Sequence, residues 1–451
     1  MTVLLFWAAL SMVFTFTLAK ENVADRSADW VALVKLAIRA GAGVSAAWLI
    51  VVAPRRRLRA AWPWLLPGAA FVAYAFASAA WSPLPRITLF QAGTTASLYL
   101  LAVACALYAA EANLSRVLKT FVVTLLVLCA GLLAARAALP GLSVMEREGA
   151  GLFHATSSAA TAGLGLTLAV LSRVLFGWRW TRRAWPLAVP LCGAVMLISS
   201  NRMAVVLVAG VVSLALFLFT TGTARAWAAL ALSLAGTAYL AADPGLDLVR
   251  GASDGVSDYM HRGQSAGQLR TLSGREEMWK KMWNSYFESP LVGHGYFVTS
   301  KTGQMEVWGD RANYDAHNLL LQVLVTTGAV GMGLFLLAYG AVPVVAAGRL
   351  LFDSRYRRAG ALILLLGAWF FGWGLLNASF IGSLQPESVL FYVLLGLTVG
   401  TASGLGARPG VPVPATAAGP GASATPSAPT STAASTSTAA STSPATRGPV
   451  G

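Results

Sequence analysis

The sequence predicts an all-α polytopic membrane protein, and three observations support this fold class. Hydrophobic residues make up 56% of the 451 residues and charged ones only 11%, and the mean hydropathy of +0.64 exceeds that of ordinary soluble domains. Apolar stretches of about 20 residues, the length that crosses a hydrocarbon core as a helix, recur almost from end to end. Short arginine clusters separate these stretches, as in cytoplasmic loops. A bundle of about twelve spanning helices follows, because helices satisfy their own backbone hydrogen bonds in lipid.

The predicted spans place both termini in the cytoplasm. They lie near residues 2–19, 34–53, 63–81, 86–109, 117–138, 154–176, 185–200, 203–220, 226–242, 317–345, 359–382 and 387–404. The first lacks the basic segment of a signal peptide and has only a poor cleavage signal, at Thr17 and Ala19, so we interpret it as a retained span. The division of 185–220 into spans is the least determined. Basic clusters near 55–59, 179–183 and 349–358 all fall on the cytoplasmic side of this arrangement.

Two segments differ in composition from the spans. Residues 1–242 and 317–404 form the predicted bundle, and 243–316 form a polar, lysine- and arginine-containing external loop. That loop is interpreted either as solvated chain or as an external site for an anionic substrate. Residues 405–451 are rich in Ala, Ser, Thr and Pro and cannot bury a core, which predicts a disordered cytoplasmic tail. In the inverted topology the same tail would suit a glycosylated stalk.

An amphipathic helix is predicted within the long loop. The stretch SGREEMWKKMWNSYFESP opens with a capping box of Ser273 and Glu276. Its apolar residues recur at helical spacing at Trp279, Met282, Trp283 and Tyr286. Such a pattern is typical of a helix lying in the membrane interface, and packing against the rest of the loop is the alternative.

Residues 315–331, DAHNLLLQVLVTTGAVG, place a histidine at the external mouth of a predicted span. With its ordinary pKa of about 6.5 a histidine accepts a proton near neutral pH, so His317 is a candidate general base, and a helix cap is the alternative role. Asn318, Gln322 and Thr326 follow on one helical stripe. For Gln322 and Thr326 we expect hydrogen bonds between helices.

Arg202 and Arg275 are predicted to lie at a depth similar to that of His317, near the external face of the membrane. A guanidinium group binds phosphate through two parallel hydrogen bonds, so each arginine either extends to the lipid headgroups or holds a diphosphate. For Lys35, Arg39 and Arg86, extension to the headgroups is the favoured interpretation.

The absence of several motifs argues against some classes of functional site. The sequence contains no Asp-x-Asp, no Gly-x-x-x-x-Gly-Lys-Ser/Thr and no clustered Cys or His ligands. A nucleotide, cofactor or metal site is therefore not expected. Cys105, Cys129 and Cys192 lie in apolar runs, which predicts no disulfide framework. The net charge of +15 is spread over loops, so no nucleic-acid partner is expected.

Several stretches in order carry a family resemblance. They are WSPLPRITL (81–89), GLFHATSSAATAG (151–163), SSNRMAVVL (199–207), SGREEMWKKMWNSYFESPLVGHGYF (273–297) and HNLLLQVLVTTGAVG (317–331). Together they resemble the O-antigen ligase and Wzy-type polymerase superfamily, in which His317, Asn318 and Gly328 fit a His-Asn, nine residues, Gly pattern. His294 departs from a usually aliphatic position, and 151–163 lacks a common Asn.

The resemblance implies a metal-independent, inverting glycosyltransferase of the GT-C type that acts on glycans carried by a polyprenyl diphosphate. It implies that His317 activates or orients the acceptor hydroxyl while Arg202 and Arg275 hold the diphosphate. The further candidates for substrate binding are Asn318, Arg86, Lys280, Gly293 and Gly295.

The implied location is the bacterial inner membrane, with the active site facing the periplasm. A polymerase of exopolysaccharide or O-antigen repeat units is the first hypothesis, because WSPLPRITL and GLF resemble that branch. A ligase that transfers glycan to a lipid A core is the second, and a transporter of lipid-linked glycans is the third. A flippase and a chain-length regulator are the implied partners.

Overall fold

The computed structural model describes residues 1–14, 30–139, 154–199, 201–230, 275–298, 316–377, 380–382 and 384–405. The chain divides into two units, Met1–Pro409 and Gly410–Gly451, and every described residue lies in the first. Regular structure in the described ranges is helical throughout, which confirms the all-α class. The predicted tail, and the predicted loop apart from 275–298 and residue 316, lie outside the described residues.

Thirteen helices carry labels here. They are α1 (Thr2–Val13), α2 (Trp30–Val52), α3 (Arg55–Ala77), α4 (Pro85–Leu107), α5 (Leu114–Ala138), α6 (Ala155–Phe176), α7 (Thr181–Ile198), α8 (Arg202–Phe219), α9 (Arg275–Glu288), α10 (Leu319–Phe335), α11 (Val342–Phe352), α12 (Arg357–Gly374) and α13 (Pro386–Gly400). A π-helical segment, Leu336–Ala341, joins α10 to α11. Residues 223–230 are also helical.

Among the described residues, eight helical stretches are long and apolar enough to cross a membrane. They are α2, α3, α4, α5, α6, α8 and α13, and the stretch Leu319–Phe352 formed by α10, the π-helical segment and α11, some with a few flanking residues. This confirms a polytopic membrane protein. Because α1, α7 and α12 fall outside this set and most of 226–242 is not described, the count of about twelve spans stays a prediction.

The basic clusters gather at one end of the bundle, called the basic end below. Arg57 Nη1 donates to the carbonyl oxygen of Leu107 at 3.1 Å and lies 3.3 Å from Glu111 Oε1, so the start of α3 meets the end of α4. The Arg349 guanidinium lies 4.6 Å from the Trp64 ring centroid, which brings the end of α11 to the same level. This grouping is the one that the positive-inside rule predicts.

The opposite end, called the site end, holds the starts of α4, α8 and α10 and the end of α12. Leu207 of α8 packs against Gly372, and Leu319 of α10 packs against Gly374. Since α12 begins beside α11 at the basic end, these contacts bring the α8 and α10 starts together at the other end.

Aromatic packing fills the bundle beneath the site end. Phe71 of α3 lies 5.8 Å from both Phe335 and Tyr296 between ring centroids. Phe380 stacks on Phe391 at 3.8 Å. Buried rings of this kind contribute offset and edge-to-face contacts beyond their apolar area. They therefore support the loop that carries Tyr296.

Candidate functional site

The start of α10 places His317 at a rigid helix mouth. Asn318 is the N-cap, and its Oδ1 accepts a hydrogen bond from the Leu321 amide at 3.0 Å. The Ala316 amide donates to Gln322 Oε1 at 2.9 Å, so side chains of α10 hold both neighbours of His317. His317 itself has a left-handed φ of 47°, which a histidine adopts only when its surroundings hold it there.

The predicted stripe of polar residues is present, but the bonds that the structure shows are local. Thr326 Oγ1 donates to the Gln322 carbonyl at 2.6 Å, within α10. Gln322 and Thr326 are both fully buried. The expectation that they join separate helices is therefore wrong for the Thr326 hydroxyl, because a helix carbonyl one turn away satisfies it.

Helix α9 packs along the start of α10. Met278 and Met282 are buried against Ala316 and Val325. Trp279 Nε1 donates to the Ala316 carbonyl at 2.8 Å, which connects α9 to the residue before His317. The amphipathic pattern thus predicted the helix, while Ser273 of its capping box lies outside the described residues.

The exposed face of α9 is aromatic. Trp283 is 47% exposed and Phe287 62% exposed, with ring centroids 5.7 Å apart. Leu291, in the turn after the helix, is 66% exposed. The face buried against α10 is thus centred on the methionines, and Trp283 lies at the edge of that face, half-exposed. An apolar ridge beside a spanning helix suits contact with lipid.

An open groove runs between α9 and α10. Its polar mouth is formed by Lys280 and Asn318. Its remaining lining is apolar: Trp279, Trp283, Leu320, Leu321, Leu324 and Met332. On α10 the lining extends from Leu320, near the start of the helix, to Met332. The groove is therefore polar at one end and apolar along its length, as an amphiphilic substrate requires.

Below the mouth, α10 is broken at Gly328. This residue has φ 66° and ψ −172°, a backbone region essentially restricted to glycine. A break inside a spanning helix frees backbone donors and acceptors that must find partners in an apolar environment. Residues 289–298, called the docking turn below, provide them.

The docking turn bonds to four backbone groups of α10 around the break, two carbonyl oxygens before it and two amides after it. The four bonds are His294 N to Val325 O (3.3 Å), Gly295 N to Thr326 O (2.9 Å), Ala329 N to Pro290 O (2.8 Å) and Val330 N to Leu291 O (3.1 Å). The break in α10 and the docking turn therefore form one structural unit. This unit fixes the position of the end of α9 relative to α10.

Gly293 and Gly295 permit this close approach. They have φ values of 68° and 106°. A Cβ at Gly293 would lie 2.5 Å from the Thr327 amide nitrogen, and one at Gly295 would lie 2.5 Å from Ser82 Cβ. Their observed contacts are thus with the protein backbone and Ser82. Their predicted part in substrate binding stays a prediction.

Aromatic side chains of α3 and its C-terminal turn clamp the docking turn. The Tyr74 hydroxyl lies 3.0 Å from the Thr327 carbonyl and 3.2 Å from the Val292 carbonyl. Trp81 Nε1 donates to the same Val292 carbonyl at 3.3 Å. Sequence reasoning missed Tyr74, since its partners are more than 200 residues away and no local pattern marks it.

Tyr296 anchors the far side of the docking turn. Its amide donates to Ser78 Oγ at 2.9 Å, and its hydroxyl pairs with Thr95 Oγ1 at 2.7 Å. The side chain is fully buried, and burial raises the pKa of Tyr296, so the phenol stays neutral. The turn is therefore held by α3, α4 and α10 together.

The arginines predicted to contact the substrate lie at the starts of three different helices. Arg202 begins α8 at the site end, after Asn201, whose Oδ1 accepts from the Ala204 amide at 3.2 Å. Arg275 begins α9, and its side chain lies outside the described residues. Arg86 is exposed in the first turn of α4. The structure thus brings Lys280, Asn318 and the His317 backbone to one mouth.

Where side chains are described, no group of three or more His, Cys, Asp or Glu residues is arranged to hold a metal ion. Cys105, Cys129 and Cys192 are free and buried.

Comparison with known families gives one match. Residues 148–336 match the family model described as O-antigen ligase. The matched range includes α6 to α9, the docking turn, the groove mouth and α10. No match was found among curated proteins.

Proposed function

Because this chain belongs to the O-antigen ligase and Wzy-type superfamily, we propose that it polymerises polyprenyl-diphosphate-linked oligosaccharide repeat units into an exopolysaccharide or O-antigen. In this proposal it is an inner-membrane glycosyltransferase whose site end faces the periplasm. The flippase and the chain-length regulator of the same pathway are its proposed partners.

The groove between α9 and α10 is the observation that supports the proposal. Its substrate must combine an anionic head with a long apolar chain, and the groove offers Lys280 and Asn318 at one end and leucines along its length. The exposed ridge of Trp283 and Phe287 would extend this apolar surface into the bilayer. A lipid-linked diphosphate fits both requirements.

The proposed reaction is a single displacement. A hydroxyl of the acceptor sugar attacks the anomeric carbon of the donor, a new glycosidic C–O bond forms, and the bond from that carbon to the diphosphate oxygen breaks. His317 takes the hydroxyl proton, and the polyprenyl diphosphate leaves with the electron pair. Attack opposite the leaving group inverts the anomeric configuration.

Arginines would stabilise the leaving group. Arg202 and Arg275 both begin helices, α8 and α9, where helix dipoles also favour an anion. A guanidinium group remains charged and binds two phosphate oxygens at once, so it can neutralise the developing charge without a metal ion. In this proposal Asn318 orients the acceptor while it caps α10.

The test is reconstitution of the purified chain with a polyprenyl-diphosphate-linked repeat unit as the only glycan. A ladder of products on a gel is the expected result. A single unchanged band would contradict polymerisation. Excess EDTA is the control for metal dependence, and the ladder should persist in its presence.

A ligase is the second candidate, since the matched family model is described as O-antigen ligase. A ligase would leave the repeat unit unchanged on its own and transfer it once a lipid A core acceptor is added. Failure of both assays would favour the third hypothesis, transport of the lipid-linked glycan.

A further inference from the structure

A second cationic cluster lies at the site end, on helices that do not line the groove. Helices α2 and α4 run parallel, since Gly43 faces Ser97 and the Tyr108 hydroxyl donates to the Leu49 carbonyl at 3.1 Å. Lys35 and Arg39 follow each other by one turn on α2. Neither α2 nor α4 contains an aspartate or a glutamate.

Arg39 connects the two helices. Its guanidinium carbon lies 5.9 Å from the Phe90 ring centroid of α4. Arg86 is one turn before Phe90, nearer the site end, and its side chain is exposed. Lys35, Arg39 and Arg86 therefore approach one another across the α2–α4 contact. They are called the basic cluster below.

Arg39 also carries an unsatisfied donor. Its Nε is buried and has no hydrogen-bond partner in the described ranges. A buried guanidinium donor in a spanning helix is costly unless an acceptor meets it. Interaction with the Phe90 face compensates the charge only in part, because an aromatic ring offers a weak acceptor. An anion bound beside Arg39 and Arg86 would compensate their charge near the site end.

The basic cluster is separate from the groove mouth. Ser82, one turn before Arg86, meets the docking turn at Gly295, whose amide bonds to the Thr326 carbonyl. Thr326 lies eight residues beyond Asn318, a helix length of about 12 Å. The start of α4 is therefore connected to α10 about two turns from the groove mouth, and the basic cluster shares no residue with the groove lining.

We propose that the basic cluster binds the diphosphate of the acceptor lipid, while the groove mouth binds that of the donor. This rests on the proposed function, in which both substrates carry a polyprenyl diphosphate. The donor loses its diphosphate in the reaction and the acceptor keeps its own, so the enzyme must hold two such groups together. The headgroup phosphate of an ordinary phospholipid shares this chemistry and is the competing source.

Binding stoichiometry tests the proposal without turnover. The full chain in nanodiscs of zwitterionic lipid is titrated with radiolabelled undecaprenyl diphosphate, and the bound copies per chain are counted. We expect two copies for the unmodified protein and one for the double variant Arg39→Gln, Arg86→Gln. Arg136→Gln is the matched control, as an exposed arginine at the end of α5, and should retain two copies.

The outcomes separate the sources of phosphate. Loss of one copy in the double variant alone supports the proposal, and an unchanged stoichiometry overturns it. Displacement of the second copy by equimolar phosphatidylglycerol overturns it too, assigning the cluster to bulk lipid. Two copies in a protein that makes no polymer would support the second site while refuting the polymerase function.

If the double variant fails to fold, Lys35→Gln alone is used, with a weaker second binding event as its expected result. Unchanged binding in that variant counts against the proposal.

Discussion

At the scale of single residues, positive φ angles mark the positions on which the site depends. His317 and Gly328 lie 11 residues apart along α10, with φ values of 47° and 66°. One sets the direction of the candidate base, and the other permits the docking turn to bond to the helix. The two positions accept different residues. Asparagine can adopt the left-handed backbone conformation of His317, whereas only glycine can adopt the conformation of Gly328.

His317→Asn should lower transfer activity by about 100- to 10,000-fold, the usual contribution of a general base. Asparagine keeps the left-handed backbone and removes the titratable ring, so a loss would report chemistry rather than folding. The measurement is the initial rate of polymer formation at equal protein in the membrane. His154→Asn is the control, since either side chain can cap α6. Normal polymer in His317→Asn would exclude His317 as the base.

Arg202→Lys should lower the rate by about ten- to a hundredfold, because lysine keeps the charge without the paired hydrogen bonds to phosphate. The same result is expected for Arg275→Lys. Arg225→Lys, at the basic end, is the matched control and should keep full activity. Full activity in both test variants would show that these arginines serve only as headgroup contacts.

Gly328→Ala should destabilise the protein by about 1 to 3 kcal/mol, because alanine is strained at this backbone geometry and its Cβ would collide with the Leu291 carbonyl. Gly333→Ala is the matched control on the same helix, since a Cβ there meets no atom within 4 Å. Thermal unfolding in detergent measures both variants. Equal midpoints would mean that the break at Gly328 does not constrain the fold.

At the scale of elements, α9, the docking turn and α10 form one unit. The turn replaces backbone bonds of α10, and Trp279 connects α9 to Ala316. A displacement of the turn would therefore shift Lys280 relative to Asn318. Catalytic geometry of this kind is sensitive to displacements of about 1 Å.

Tyr74→Phe tests that coupling. Loss of its hydroxyl leaves the Thr327 carbonyl without this donor and should lower stability by ~1 kcal/mol, and it should also lower kcat. Tyr108→Phe removes a comparable bond to the Leu49 carbonyl, far from the site. The control should lose stability but keep kcat. Parallel losses of kcat in both would indicate a general effect of weakened folding.

At the scale of the whole molecule, the bundle separates its two ends by charge and by shape. Arg57 pairs with Glu111 at the basic end and Arg349 packs on Trp64 there, while the groove and docking turn occupy the site end. In the proposed function, an amphiphilic substrate would therefore enter from the lipid at the site end.

Cysteine labelling tests this orientation. In intact spheroplasts a membrane-impermeant maleimide should label Lys280→Cys, whereas Arg56→Cys should react only after permeabilisation. Both positions are exposed, and the native cysteines are fully buried and should give little background. The reverse pattern would place the site end in the cytoplasm.

The sequence by itself determined the class of the protein and the elements of the site. Composition and apolar run length predict the spanning helices, and the Trp and Met spacing predicts α9. Both follow from local physics, since hydropathy and helical periodicity are properties of consecutive residues. The position of His317 at a helix mouth is equally local.

Only the tertiary structure decided how these elements meet. The break at Gly328, the replacement of its hydrogen bonds by residues 289–298 and the Tyr74 clamp join segments that lie far apart in the chain. Sequence patterns carry no information on which distant carbonyl accepts a given donor. The same limit applies to α9, because its amphipathic pattern predicts an apolar face but does not identify Ala316 and Val325 as the residues that this face contacts.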